Sequence, residues 1–191
     1  LRSDARLQEA VEMFGRARTL ARGGLDWEQA ELHALNYFDG ISEAELFARH
    51  RQVGVRLEAA NPARFAPFEN LKDPERRLRI GYVSRDFHRH PVTLFMIPVL
   101  ERHERSRFEV YCYSTSARAD EVTAQVRSLA DRWRDAAKWS QSELAEAIHR
   151  DGIDLLVDLL GHAGSSDLAV FAQQPAPVQV TWLGYYDTTG L

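Results

Sequence analysis

A buried-strand pattern that runs directly into a polar loop and a proline constrains the fold more than any other feature of this chain. Residues 77–95 read RLRIGYVSRDFHRHPVTLF. Leu78, Ile80 and Tyr82 alternate with other residues as in a strand, and proline is well tolerated at the first position of a helix, so a helix is predicted to begin at Pro91. The segment therefore predicts a strand–loop–helix unit, the building block of an open α/β sheet.

The loop of this unit carries a carboxylate and two imidazoles, Asp86, His88 and His90. Open α/β sheets gather their ligands at the carboxyl ends of the strands, so chemistry is expected here. His90 would sit at the cap of the helix, and Asp86 is placed to orient its ring. The helix terminus disfavours the imidazolium and the carboxylate favours it, so the direction of the pKa shift stays open. The alternative is that Asp86 only caps the turn and His90 binds backbone.

The rest of the sequence alternates further predicted strands and helices. Strands are predicted at 107–114, 153–160 and 177–184, and helices at 119–133 and 142–152. The nearly continuous apolar run IDLLVDLL is typical of a parallel strand that is covered on both faces. The predicted fold class is α/β, with a Rossmann-like doubly wound parallel sheet.

The predicted organisation has three parts. Residues 1–60 show helical spacing, with Ser42 and Glu45 forming a candidate capping box. Residues 61–77 concentrate proline and charge and are predicted to be a linker. Residues 78–191 form the α/β lobe.

Several side chains that can carry chemistry are interpreted as packing residues, namely Cys112, Trp133, Trp139 and Trp182. Cys112 is the single cysteine, lies in a predicted strand and cannot form an internal disulfide, so a reducing, cytoplasmic compartment is expected.

Composition argues against several classes of function. The chain has 24 basic and 28 acidic residues, a formal charge of -4, so a nucleic-acid or anionic-membrane partner is not expected. It has no run of 18 apolar residues and no H-E-x-x-H or paired-cysteine motif, so neither a membrane span nor a metal is expected. It also lacks G-x-S-x-G, G-x-G-x-x-G and the Walker phosphate loop.

Four ordered blocks together resemble the protein O-GlcNAc transferase family, including its SPINDLY-like relatives. The blocks are GYVSRDFHRHP, RFEVYCYS, DGIDLLVDLLGH and FAQQPAPVQVTWLGYYDTTG. The resemblance covers about residues 77–191, with a weaker match upstream. It implies the first lobe of a GT-B type glycosyltransferase, preceded by a helical tetratricopeptide-like segment, and a second catalytic lobe in the same or another chain.

The resemblance also implies a function. Family members transfer a sugar from a nucleotide sugar to serine or threonine hydroxyls of an acceptor protein or peptide, without a catalytic metal or other cofactor. The likeness favours UDP-GlcNAc as donor, with an O-fucosyltransferase using GDP-fucose as the alternative. A non-catalytic protein-interaction module is the contrasting hypothesis.

Site residues are carried over by position. His90 is the expected base and Asp86 its neighbour, while Leu183, Gly184 and Tyr185 are expected to contact the substrate. The family's threonine after the proline is replaced by Val92 here, so the threonine contact is assigned to Thr93. The family loop L-G-Y-P-G-T-S-G reads LGYYDTTG in residues 183–190, with Tyr186 and Asp187 as departures.

Two further positions carry alternatives. In the loop GHAGSSD, His162, Ser165 and Ser166 are candidates to touch acceptor or donor, but capping of the next helix by Ser166 or Asp167 is the simpler interpretation. His33 lies roughly where the family carries another active-site histidine, but packing or exposure is the preferred interpretation.

Overall fold

The computed structural model describes residues 4–20, 25–73, 75–164 and 166–191. The helices in these ranges are α1 (Asp4–Leu20), α2 (Leu25–Leu35), α3 (Glu43–Ala60), α4 (Pro91–Arg102), α5 (Glu121–Leu129), α6 (Gln141–Arg150) and α7 (Leu168–Ala172). The strands are β1 (Leu78–Ser84), β2 (Phe108–Ser114), β3 (Arg132–Asp135), β4 (Leu155–Asp158) and β5 (Val178–Thr181).

The strands form one parallel sheet in the order β3-β2-β1-β4-β5. Tyr82 in the central strand is in register with Cys112 on one side and Val157 on the other. The chain moves outward from β1 to β3, returns to β4 beside β1 and then moves outward on the opposite side. This is the predicted doubly wound sheet, and it places the reversal of strand order between β1 and β4.

Helices cover both faces of the sheet. Met96 and Leu100 of α4 and Val126 of α5 pack on the face that contains Cys112, while residues of α6 and α7 pack on the other. Cys112 is fully buried, and burial raises the pKa of its thiol to about 12. The prediction that Cys112 is a packing residue and not a nucleophile is confirmed.

The edge strand β3 was not predicted. The helix expected over 119–133 ends at Leu129, and Arg132–Asp135 extends beside β2 instead. Its sequence RWRD has no apolar alternation because an edge strand is only partly covered, so the sequence alone gives no strand pattern. The predicted helix therefore overruns its true end.

The interpretation of the tryptophans as packing residues is correct only for Trp133. Its ring lies 5.6 Å from that of Phe87 and is partly buried against the core of the α4 face. Trp139 and Trp182 keep 37% and 39% of their surface exposed. Trp139 lies in the segment between β3 and α6, and Trp182 directly follows β5, so both are beyond the strands.

The helical segment packs directly on the lobe. Leu32 of α2 and Leu57 of α3 share an apolar cluster with Leu168 and Ala172 of α7. Ser42 caps α3 by accepting the Glu45 backbone N–H at 3.2 Å, which is one of the two hydrogen bonds of the predicted capping box. The described residues of the connection 61–77 contain no helix or strand. The division into helical segment, linker and lobe stays a prediction.

A close backbone contact between α3 and the end of the chain predicts an unusual response to mutation. Gly→Ala in a helix interior normally stabilises by about 1 kcal/mol. A Cβ at Gly54, however, would lie 2.0 Å from the carbonyl oxygen of Gly190. Gly54→Ala is therefore expected to destabilise by about 1–3 kcal/mol through overpacking, measured by urea unfolding.

Gly15 provides the matched control for this prediction. It also lies in a helix, but an added Cβ would meet only the Glu31 side chain at 3.7 Å. Gly15→Ala is expected to be neutral or stabilising. An equal gain of stability in Gly54→Ala and Gly15→Ala would contradict the contact with Gly190.

Candidate active site

The predicted site residues lie at the carboxyl edge of the sheet, all of them on loops except Thr93, which is in the first turn of α4. The loop of residues 85–90 follows β1, the described residues 159–164 and 166–167 follow β4, and the loop of residues 182–191 follows β5. The strand order reverses between β1 and β4, and open α/β sheets bind ligands in a crevice at such a position. The sheet therefore brings together three loops that are far apart in sequence.

His90 is the N-cap of α4, and its role as a base stays a prediction. Its Nδ1 accepts the backbone N–H of Val92 at 3.4 Å, which is a contact with backbone. The side chain nevertheless keeps 38% of its surface exposed. With Nδ1 as acceptor, a neutral ring carries its proton on Nε2. The ring is thus held by the helix end and remains accessible to a substrate.

The Asp86 carboxylate lies between two imidazole rings. Its Oδ2 is 3.7 Å from Nδ1 of His90, and its Oδ1 is 3.5 Å from Nε2 of His88. Both separations exceed the usual length of a hydrogen bond, so the attraction is electrostatic and grows if either ring gains a proton. The structure places Asp86 beside His90 as expected; its role in orienting the ring stays a prediction.

Thr93 holds the loop of residues 85–90 through a hydrogen bond to its backbone. Its side chain is fully buried, and its hydroxyl donates to the backbone carbonyl of Asp86. This bond ties the first turn of α4 to the carboxylate loop. The structure shows the Thr93 hydroxyl bound to the loop backbone. A direct contact between Thr93 and substrate stays a prediction.

The loop after β5 presses its backbone against the loop after β4. Leu183 adopts a positive φ of 75°, and a Cβ at Gly184 would lie 1.8 Å from the carbonyl oxygen of Leu159. Glycine is required at position 184 because no side chain fits this approach. Leu183 itself packs against the core of the α4 face. Their backbone groups lie at the carboxyl edge, and contact with a donor sugar stays a prediction.

Tyr185 joins this loop to the helical segment. The side chain is buried, with its hydroxyl 2.7 Å from Nε2 of His50 and 2.7 Å from Nδ2 of Asn36. Burial raises the pKa of the phenol above its ordinary value. A substrate contact through this hydroxyl stays a prediction, because both neighbours already engage it.

His50 was not identified from the sequence. It is fully buried in α3, and its Nδ1 donates to the backbone carbonyl of Leu46 at 2.8 Å, so Nε2 accepts the hydrogen bond from Tyr185. Its partner in the loop is 135 positions away, and a histidine at helical spacing has no local signal. His33, which was singled out, is half-buried and its ring lies 5.6 Å from that of Tyr37.

Two buried polar residues hold the loop after β4. Asp158 accepts the backbone N–H groups of Leu160 at 3.0 Å and Gly161 at 2.8 Å, and the Thr181 hydroxyl at 2.8 Å. Burial raises the pKa of this carboxyl. His162 is also buried, and its burial lowers the pKa of the imidazole to about 4. These groups fix the loop from within the protein.

The remaining candidates in that loop have structural contacts. His162 is fully buried, with Nε2 2.9 Å from the carbonyl oxygen of Thr189. Ser166 accepts the Leu168 backbone N–H at 3.1 Å, in agreement with the capping interpretation. Ser165 lies outside the described residues.

No group of three or more histidine, cysteine or acidic side chains within the described ranges is arranged to hold a metal ion. In the same ranges, no helix combines the length and apolar character needed to cross a membrane.

Fold and loops together define an α/β lobe of the doubly wound class, with its candidate site at the point where the strand order reverses. Residues 36–191 match the description Glycosyl transferase family 41. The chain belongs to this family, and the predicted family is confirmed.

Individual relatives agree with this assignment. The chain is 38% identical over 167 residues to an Arabidopsis thaliana protein named probable UDP-N-acetylglucosamine–peptide N-acetylglucosaminyltransferase SPINDLY, covering 85% of this chain and 18% of that protein. It is 40% identical over 116 residues to the similarly named SEC of the same plant, covering 60% of this chain and 12% of that protein. The chain therefore spans less than a fifth of the length of these relatives.

A solved structure confirms the fold class. The Thermobaculum terrenum O-GlcNAc transferase mutant K341M superposes with a TM-score of 0.91 at 39% sequence identity. The match covers 98% of this chain and 36% of that one. The described helices and sheet thus correspond to one part of a larger transferase.

Proposed function

We propose that this chain is the first catalytic lobe of an inverting glycosyltransferase that moves N-acetylglucosamine from UDP-GlcNAc to serine or threonine hydroxyls of proteins. The observation that carries the proposal is the match of residues 36–191 to glycosyl transferase family 41, with His90 exposed beside Asp86 at the crevice. The names of the relatives support the choice of donor and of a peptide acceptor.

His90 is proposed to act as base or to position the reacting groups. In the transfer step the acceptor oxygen forms a bond to the anomeric carbon, the bond from that carbon to the nucleotide phosphate breaks, and the phosphate takes the bonding electrons. The hydroxyl proton must leave, and we propose that Nε2 of His90 accepts it. This requires the tautomer with the proton on Nδ1, on the side of Asp86, in place of the hydrogen bond from the Val92 backbone N–H. Asp86 would stabilise the resulting imidazolium across 3.7 Å.

A second lobe, in the same or another chain, is proposed to bind the nucleotide. The support is that the chain covers 36% of the Thermobaculum enzyme and that its sequence contains no phosphate-binding glycine motif. We propose that Leu183, Gly184 and Tyr185 face the sugar and that Thr93 supports the loop. We further propose that no resident metal or cofactor takes part, and that the protein works in the cytoplasm, where the thiol of Cys112 stays reduced.

The proposal is tested with the parent protein that contains this segment and a second lobe. Labelled UDP-GlcNAc and GDP-fucose are each offered with a library of serine- and threonine-containing synthetic peptides. Transfer of GlcNAc to peptide hydroxyls is expected, with inversion at the anomeric carbon. Transfer of fucose alone would show that the donor is GDP-fucose and not UDP-GlcNAc. Transfer of neither sugar would favour the hypothesis of a non-catalytic protein-interaction module.

A further inference from the structure

The second histidine of the loop after β1, His88, has no part in the transfer step proposed above. Only 8% of its side-chain surface is exposed. Its backbone N–H donates to the carbonyl oxygen of Asp86 at 2.7 Å, and Nε2 of its ring lies 3.5 Å from Oδ1 of the same residue. Burial of a polar ring is costly unless the ring has a partner, so the contact with Asp86 calls for an explanation.

The surroundings of its two ring nitrogens define the tautomer of His88. Nδ1 is buried and has no hydrogen-bond partner among the described residues. A proton on Nδ1 would leave a buried N–H unpaired and would turn the lone pair of Nε2 toward the negative carboxylate of Asp86. The neutral ring avoids both when its proton is on Nε2. The positive end of that N–H dipole then faces Oδ1 of Asp86.

The Asp86 carboxylate has a fixed backbone but a soft side-chain torsion. The backbone N–H of Asp86 donates to Oγ of Ser84 at 3.0 Å, and its carbonyl oxygen accepts the Thr93 hydroxyl. Rotation of a carboxylate about the Cβ–Cγ bond, in contrast, has no sharp energy wells. Among the described residues, the basic side chains within 4.0 Å of the carboxylate are His88 and His90, one at each oxygen. The contact with His88 therefore bears on how the carboxylate faces His90.

His88 and His90 also pack against each other. Their ring centroids are 5.8 Å apart, and their planes meet edge to face at 75°. With Oδ1 of Asp86 attracted to Nε2 of His88, Oδ2 is left 3.7 Å from Nδ1 of His90. Nδ1 is the nitrogen that must hold a proton if Nε2 of His90 is to take the proton of the acceptor hydroxyl. His88 is thus placed to act on His90 through the carboxylate between them.

We propose that His88 is a positioning residue for the transfer step, which holds the Asp86 carboxylate so that Oδ2 faces Nδ1 of His90. The kinetic part of this proposal rests on the proposed transferase function; the orientation of the carboxylate by His88 does not. The alternative is a ring that only fills space in the loop, for which the ring nitrogens would not matter.

His88→Phe and His88→Gln in the parent protein separate the ring nitrogen from the ring volume. Phenylalanine keeps a buried ring without an N–H, whereas glutamine offers an N–H at about the position of Nε2. His88→Phe is expected to lower kcat about tenfold with an unchanged KM for the best peptide of the library, and His88→Gln to lower kcat no more than about threefold. Wild-type kcat in His88→Phe overturns the proposal, and so does an equal loss of kcat in both variants.

His149→Phe is the matched control for the exchange of rings. His149 lies at the end of α6 and stacks on Phe65 at 4.7 Å. The variant is expected to keep the wild-type kcat. A loss of kcat equal to that of His88→Phe would overturn a role specific to His88.

An Asp86→Ala background tests whether His88 acts through the carboxylate. In this background His88→Phe is expected to change kcat by less than about twofold, because no carboxylate remains to be held. A general loosening of the loop would instead lower kcat by the same factor in both backgrounds. Equal losses in the two backgrounds therefore overturn the positioning role.

Crystal structures of the parent protein carrying His88→Phe or His149→Phe give a readout that needs no turnover. In His88→Phe the Asp86 carboxylate is expected to rotate, with Oδ2 more than about 4 Å from Nδ1 of His90, and in His149→Phe it is expected to stay in place. A carboxylate that keeps its orientation in His88→Phe overturns the proposal. Absence of turnover in the wild-type protein counts against the transferase function instead, and these structures then still decide whether His88 orients Asp86.

Discussion

Replacing His90 by asparagine in the parent protein is expected to lower kcat about 100-fold to 10,000-fold with little change in thermal stability. The two roles of His90 can be separated because asparagine is a good N-cap residue and can still accept the Val92 backbone N–H. It cannot take a proton from the acceptor hydroxyl at neutral pH. Transfer rates and thermal unfolding measured on the same preparations test both parts.

Two further variants complete this experiment. His90→Ala removes the cap as well as the base, so it should lose about 1 kcal/mol of stability in addition to turnover. His149→Ala deletes the same ring at the end of α6, where it stacks on Phe65 at 4.7 Å, and should keep turnover. Wild-type turnover in His90→Asn would exclude His90 as the base and leave it only a capping role.

The free energy of unfolding is expected to fall by about 3 kcal/mol through His162 alone as the pH is lowered from 6.5 to 4. Burial lowers the folded-state pKa of this imidazole from 6.5 to about 4. Above pH 6.5 neither state binds the proton; between the two values only the unfolded chain does. The stabilisation is thus present above 6.5 and is lost as the pH falls.

The His162→Gln variant isolates this contribution. Asp158 and Asp167 have pKa values raised by burial, so their protonation on acidification favours the folded state and acts in the opposite sense. The readout is therefore the difference in urea-unfolding free energy between wild type and His162→Gln, measured at pH 7 and at pH 4.5. A difference that does not shrink on acidification would show that His162 is charged in the folded protein.

The middle of the sheet was predictable because strands that are covered by helices keep an apolar pattern, either alternating or nearly continuous. β1, β2 and β4 carry this pattern and form the middle of the sheet. The edge strand β3 is too short and polar to be recognised, and its pairing with β2 is a tertiary effect. The local pattern of apolar residues indicates which positions are buried, but not which strands pair. The strand that the sequence did not predict, β3, is therefore one that lies at the edge of the sheet.

The candidate site was predictable where its parts are close in sequence. Asp86 and His90 share one loop, and the structure places them 3.7 Å apart. The contact of Tyr185 with His50 and Asn36 joins segments that no spacing rule connects. The resemblance located the loop of Tyr185, but the burial of its hydroxyl depends on the packing of α3 against that loop.

The contact between α3 and the loop after β5 has a mechanical consequence. Arg51 donates to the carbonyl of Gly190, Gly54 lies against the same residue, and His50 is bonded to Tyr185. A force on the helical segment thus reaches the loop of residues 182–191 without passing through the sheet. A lobe produced from residue 78 onward would lack these contacts and would leave the loop after β5 held only from the side of the sheet.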